Sequence, residues 1–189
     1  MKKPKPKTKT TKKNTAQSMY ETLCLPGVHV IAGRAATGKT ALAVDFLAYC
    51  MKSQYPVACD NLDMQKRCFF EKLGKRLALS PKELSSVIQN AERSNMFFYT
   101  EEQELTKLLP YLSTLRNVGA RAAIIDYVQL LKVNGKPLNT DYIVAMLSAF
   151  AHRLQMSIVL LCQLFGDCED LYPYANSLQL LLKKEKSKK

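Results

Sequence analysis

Several things are scarce in this 189-residue sequence: Trp is absent, His occurs twice and Gly seven times, and 16 acidic residues face 28 Lys and Arg. The low Gly content excludes collagen-like repeats, and a hydrophobic fraction of 47% excludes a chain too polar to fold. The longest apolar runs, at 158–162 and 178–182, fall far short of the roughly 20 residues a membrane-spanning helix needs. No apolar stretch follows the N-terminal lysines, which excludes a secretory signal, and residues 1–33 contain no Arg, unlike a mitochondrial leader. None of the six cysteines (24, 50, 59, 68, 162, 168) forms a Cys-x-x-Cys pair. Structural zinc is therefore not expected, and buried free thiols in a reducing, cytoplasmic setting are.

What is abundant is lysine, and it is unevenly placed. Residues 1–14 hold seven Lys and no acid, and residues 183–189 hold five Lys and one Glu. Removing these twelve bases and one acid from the totals leaves 16 basic and 15 acidic residues at 15–182, so nearly all of the +12 net charge belongs to the tails. Such tails attract polyanions, DNA among them, without reading sequence. The expected organisation is a Lys-rich tail over 1–19, one folded domain over 20–182, and a second tail over 183–189.

The run GVHVIA at 27–32 reads as a buried strand. It leads through GRAATGKT at 33–40 into a helical pattern ending near residue 53. Further strands are expected at about 57–61, 96–99, 122–125, 157–162 and 177–182. Helical patterns lie between them: one from 64, with Gly74 weakening or interrupting it; one from the capping box Ser80-Pro81-Lys82-Glu83 to about 93; one at 101–116 with Pro110 inside; and one at 141–155. A polar loop containing Gly135 and Pro137 precedes the last of these. Alternating elements with continuously apolar strands predict an α/β fold with a mostly parallel central sheet flanked by helices on both faces.

Residues 33–40 fit Gly-x-x-x-x-Gly-Lys-Thr between a strand and a helix. Successive backbone N–H groups of Gly33, Arg34, Ala35, Ala36, Thr37 and Gly38 can wrap a phosphate, and the helix start adds its positive end. Lys39 is expected to reach the terminal phosphates of ATP, and the Thr40 hydroxyl to ligate Mg²⁺. Asp126 ends the fourth strand and is the candidate for the second magnesium-site group. Activating the attacking water falls to Asp60 or Asp63, which end the second strand, and Gln163 after the fifth strand is the candidate phosphate sensor. Each of these acids and the Gln has an ordinary turn-residue reading beside the functional one. His29 and His152 read as packing or surface residues, Tyr172 and Tyr174 as loop packing or base-stacking groups, and Arg67, Lys72, Lys75 and Arg76 as a helical basic patch.

In this order, GRAATGKTALAVDFL, VACDNLDM, AAIIDYVQLL and SIVLLCQL resemble the RecA-like motor domain of DnaB-type replicative helicases. The resemblance covers roughly residues 25–184. It implies a RecA-like P-loop fold, with Lys39 and Thr40 on ATP and Mg²⁺, Asp126 as the Walker B acid and Gln163 as sensor. The family's catalytic Glu falls on Asp63, whose carboxylate is one methylene shorter, and misplacement by about 1 Å can cost ~100-fold in rate. The segment 165–174 is short and acidic where the family carries a basic DNA-facing loop. Where the family has a primase-interacting domain there is the lysine stretch, and the chain stops after the sixth strand, before the family's arginine finger. Arg34, Arg121 and Arg153 do not match that finger, whose loss can cost about 10³–10⁵ in rate.

The resemblance further implies a nucleotide at a subunit boundary, as a homo-oligomer or in a mixed assembly with a replicative helicase or other replication protein. ATP binding and hydrolysis in DNA replication or a related DNA transaction are expected, with autonomous unwinding doubtful. The alternative is a weakly active or inactive helicase-derived regulator that binds a helicase or DNA. A recombinase- or clock-type ATPase is a further option, opposed by the IDYVQL box.

Overall fold

The computed structural model describes residues 15–164 and 175–181. The Lys-rich stretches 1–14 and 183–189 and the acidic segment 165–174, with Tyr172 and Tyr174, lie outside these residues. The chain runs α1 (Thr15–Leu23), β1 (Gly27–Gly33), α2 (Lys39–Lys52), β2 (Val57–Asn61), α3 (Lys66–Leu77), α4 (Pro81–Arg93), β3 (Phe97–Thr100), α5 (Leu105–Asn117) and β4 (Ala122–Asp126). A 3-10 turn at Val128–Leu130 and a small hairpin, β5 (Lys132–Val133) and β6 (Lys136–Pro137), lead to α6 (Thr140–Leu154), β7 (Ser157–Gln163) and β8 (Ser177–Leu181).

Six strands form one sheet in the order β3-β2-β4-β7-β1-β8, and every pairing in it is parallel. β1, β2 and β4 are buried at every position, as strands covered on both faces must be. On one face, Val28, Val30, Ile125, Ile158 and Leu160 pack against Leu105, Leu108 and Leu112 of α5 and Ile143, Val144 and Leu147 of α6. On the other, Ile31, Cys59, Ile124, Val159 and Leu161 meet Leu23 of α1, Phe46 and Leu47 of α2, Phe69 and Leu73 of α3 and Leu84 of α4. The alternate residues of each strand thus serve two separate cores.

Several local expectations hold. Ser80 and Glu83 form the reciprocal capping box with Pro81 in the first turn of α4. The expected elements shift by a residue or two at their ends. Three differences have clear physical causes. Residues 15–19, read as tail, belong to α1, because Tyr20 stacks near Phe46 and Tyr49 and Leu23 is buried, so the helix has an apolar face to bury. Gly74 does not interrupt α3: a Cβ there would sit 3.1 Å from Leu84 Cδ2, and its absence lets α4 approach closely. The polar loop before α6 is a hairpin whose turn residues Asn134 and Gly135 both have positive φ (51° and 72°), the geometry that Asn-Gly favours.

Candidate nucleotide and metal site

In parallel sheets ligands gather beyond the carboxyl ends of the strands, where crossovers leave a crevice. The register places Gly33 beside Gln163 on β7, Asp126 beside Leu161, and Asn61 beside Asp126. One edge therefore carries the ends of β1, β7, β4 and β2 in succession. β7 stands between the strand that opens the glycine-rich loop and the strand that ends in Asp126.

The loop at 33–40 is built for an anion. α2 starts after Gly38, whose φ of 97° no side-chain-bearing residue adopts comfortably, and no side chain caps the helix start. Its first-turn N–H groups and the positive helix end therefore face the crevice. The Thr37 hydroxyl donates to Arg34 O at 2.8 Å and holds the loop curved. A Cβ on Gly33 would come within 2.9 Å of Leu181 O in the neighbouring strand, so only glycine allows β8 this close. Lys39 Nζ donates to Gly33 O at 2.9 Å and to Arg34 O at 3.0 Å. The ammonium is thus folded over the loop with two neutral acceptors, and a phosphate oxygen is the stronger partner it is placed to take.

Asp126 is 2% exposed, and its Oδ2 is buried with no hydrogen-bond partner. Burial pushes its carboxyl up to about 6; the Thr40 hydroxyl bonded to it works against this, Asp63 adds to it, and Lys39 and Lys72 oppose it. A desolvated carboxylate with a spare oxygen beside a hydroxyl is a hard oxygen donor pair of the kind that suits Mg²⁺. The residues fit that ion. The charges that act on Asp126 also show that Lys39, Thr40, Asp63 and Asp126, chosen from three separate segments, share one locality.

Asp63 is exposed and held in a tight turn: Leu62 N donates to Asp126 O at 2.7 Å, and Asn61 Nδ2 donates to Met64 O at 2.6 Å and to the Tyr99 hydroxyl at 2.9 Å. Asp60, the other candidate water activator, points elsewhere. Its Oδ1 accepts from Glu102 N at 3.0 Å and Glu101 and Glu102 are the charges around it, so it belongs to the 101–104 loop and not to the phosphate crevice.

Gln163 ends β7 against the loop, and Leu164 N donates to Gly33 O at 3.1 Å. Sequence reasoning missed how it is held. Gln129 Nε2 donates to Gln163 O at 2.8 Å while Gln129 Oε1 accepts from Gln163 N at 3.3 Å, so one amide clamps both backbone groups. Gln129 lies three residues after Asp126 in a 3-10 turn, and that fold-back, invisible as a period in the sequence, carries it under the end of β7. Glu104 was also missed: its carboxylate accepts from Asn134 N at 2.7 Å and Gly135 N at 3.0 Å, clasping the hairpin turn.

Other candidates resolve simply. Leu25 O only accepts, so His29 Nε2 carries the proton at 2.8 Å and Nδ1 accepts from the Ser177 hydroxyl at 2.8 Å; burial lowers its pKa, and it is a neutral packing residue. Of the basic patch, Arg76 pairs with Asp45 of α2 at 2.6 Å and Arg67 with Glu71 at 3.0 Å, which leaves less free charge than the sequence suggested. No described helix is long and apolar enough to cross a membrane.

An all-parallel sheet carrying a glycine-rich phosphate loop at one strand end and a buried acid two strands away defines a RecA-like P-loop ATPase fold. Residues 17–173 match the DnaB-like helicase C terminal domain, and the chain belongs to that family. Among solved structures it is similar to the ATPase domain of a DnaB-like helicase, at 22% identity and a TM-score of 0.56, over 78% of this chain and 62% of that one. It is also similar to a KaiC-like protein from Pyrococcus horikoshii, at 14% identity and a TM-score of 0.59, over 76% and 63% of the two chains. At these identities both likenesses speak for the fold. The chain spans a little over three fifths of each of these structures. Comparison with curated protein sequences found no match.

Proposed function

We propose that this chain binds ATP with Mg²⁺ and hydrolyses it as a DnaB-like ATPase serving DNA replication or a related DNA transaction. The observation that carries the reading is the orphaned, buried Asp126 oxygen set beside Thr40, with the Lys39 ammonium acting on the same carboxylate. The N–H groups of 33–38 and the start of α2 bind the phosphate chain, and Lys39 gives up its two carbonyls for the terminal phosphate oxygens. Thr40 and Asp126 would hold Mg²⁺, which when bound neutralises phosphate charge. Asp63 orients the attacking water and accepts its proton, and Gln163 reads the terminal phosphate from β7. The Lys-rich tails tether the domain to DNA. Assembly with copies of itself or with a replicative helicase supplies whatever the site takes from a neighbour.

ATP turnover by the purified chain, with and without single-stranded DNA, tests this. Hydrolysis that Lys39→Ala abolishes is the expected result. ATP binding without turnover under every DNA condition would instead establish the second reading, a helicase-derived regulator, which the short Asp63 side chain favours. Deleting 1–14 and 183–189 should remove salt-sensitive DNA binding, and unchanged affinity would return the contact to the folded body.

A further inference from the structure

Outside the phosphate crevice, α1 and α2 bring two thiols together. Cys24 directly follows α1, and Cys50 lies near the end of α2. Their side chains are hydrogen-bonded to one another. Tyr55 pins the pair through the backbone: its N–H donates to Cys50 O at 2.8 Å, and its hydroxyl donates to Cys24 O at 2.8 Å. The Arg121 guanidinium lies 5.3 Å from the centre of the Tyr55 ring. Cys50 is fully buried, whereas Cys24 is partly exposed.

The two thiols are unequal. The hydrogen bond with Cys50 holds Cys24 below the ordinary thiol value, and Arg121 assists, against burial and Glu21. The same bond, with burial, pushes Cys50 up. Cys24 is the accepting, thiolate-prone sulfur that solvent reaches, and Cys50 is the protonated donor behind it. That is the asymmetry of an attacking and a resolving cysteine.

We propose that Cys24 and Cys50 are a peroxide-oxidisable pair whose disulfide closes a ring around the phosphate loop. The Cys24 thiolate attacks a hydroperoxide; the O–O bond breaks, an S–O bond forms, and the departing hydroxide or alkoxide takes a proton. Cys50 loses its proton and attacks the Cys24 sulfur, forming S–S and expelling the sulfenic oxygen as water. Two thiols lose two electrons and the peroxide gains them. Thiols already in contact need no backbone movement to join. The ring encloses residues 25–49, which include β1, the whole of 33–40 and most of α2, so oxidation ties the two elements that frame the loop. A thiol reductant reverses it.

The test uses the full reduced chain, treated with hydrogen peroxide, blocked with N-ethylmaleimide and mapped by peptide mass spectrometry. A linked peptide joining Cys24 and Cys50, lighter by two hydrogens and reversed by dithiothreitol, is expected. The melting temperature of the oxidised chain should rise by roughly 5–10 °C. Cys24→Ser should lose both effects, and Cys50→Ser should leave Cys24 as a sulfenic acid that dimedone traps. If Cys50→Ser fails to fold, Cys24→Ser and the thermal shift still decide. Oxidation of Cys24 without linkage in the wild-type chain, or linkage only through the exposed Cys68, would overturn the proposal. None of these readouts uses ATP, so the outcome stands apart from that of the proposed ATPase.

Discussion

Asp60 offers a sharp test of the electrostatics at the strand ends. It is 3% exposed, its Oδ2 has no partner, and its Oδ1 is used by Glu102 N. Burial raises its carboxyl from 3.8 to about 7, against the Glu102 N–H and with help from Glu102 and Glu101. Between those two values the folded chain binds a proton that the unfolded chain has released, so stability falls as pH rises through that window. Asn keeps an oxygen for Glu102 N and never ionises. From pH 5 to pH 8 the wild-type chain crosses about two of the pH units below its folded value, at about 1.4 kcal/mol each. The stability of Asp60→Asn relative to wild type should therefore improve by roughly 2.5 kcal/mol between pH 5 and pH 8. Urea unfolding of both proteins at the two pH values measures this directly. Asp126 titrates in both and drops out of the difference. An equal gap at both pH values would mean that Asp60 is not a desolvated carboxylate, and the reasoning would fail.

Gln129→Leu removes the clamp on both backbone groups of Gln163, and a shift of about 1 Å there should cut kcat by about 100-fold with KM little changed, as steady-state ATPase kinetics would show. Gly33→Ala forces a Cβ to within 2.9 Å of Leu181 O, which cannot rotate away, and should cost about 1–3 kcal/mol in urea unfolding. Ser80→Ala removes the acceptor for Glu83 N and should cost about 1 kcal/mol, with faster amide exchange confined to the first turn of α4. Glu104→Gln keeps an acceptor but loses the charge that holds Asn134 N and Gly135 N, and should speed exchange of those two amides while leaving the sheet protected.

Much of the site was legible because its parts are local. The phosphate loop depends on glycines, a lysine and a threonine at fixed short spacing, and each strand-ending acid or amide follows an apolar run that marks its strand. Gln129 was not legible in its role, because a 3-10 turn has no hydrophobic period and its partner lies 34 residues away. Asp60 and Asp63 looked alike in sequence, two acids after one strand. They separate because a strand sends alternate side chains to opposite faces, and the turn after Asn61 returns Asp63 to the Asp126 side. The Asn134-Gly135 turn was a readable hairpin signal hidden in two strands of only two residues each.

The sequence by itself determined the alternation of strands and helices, the phosphate loop and the confinement of excess charge to lysine tails, because each follows from neighbours along the chain. The order of the strands was decided only in three dimensions. Placing β7 between β1 and β4 is a choice among long-range pairings that local pattern does not encode. That choice brings Thr40 to Asp126, Gln129 to Gln163 and Cys24 to Cys50, since burial of two apolar faces fixes which elements can meet.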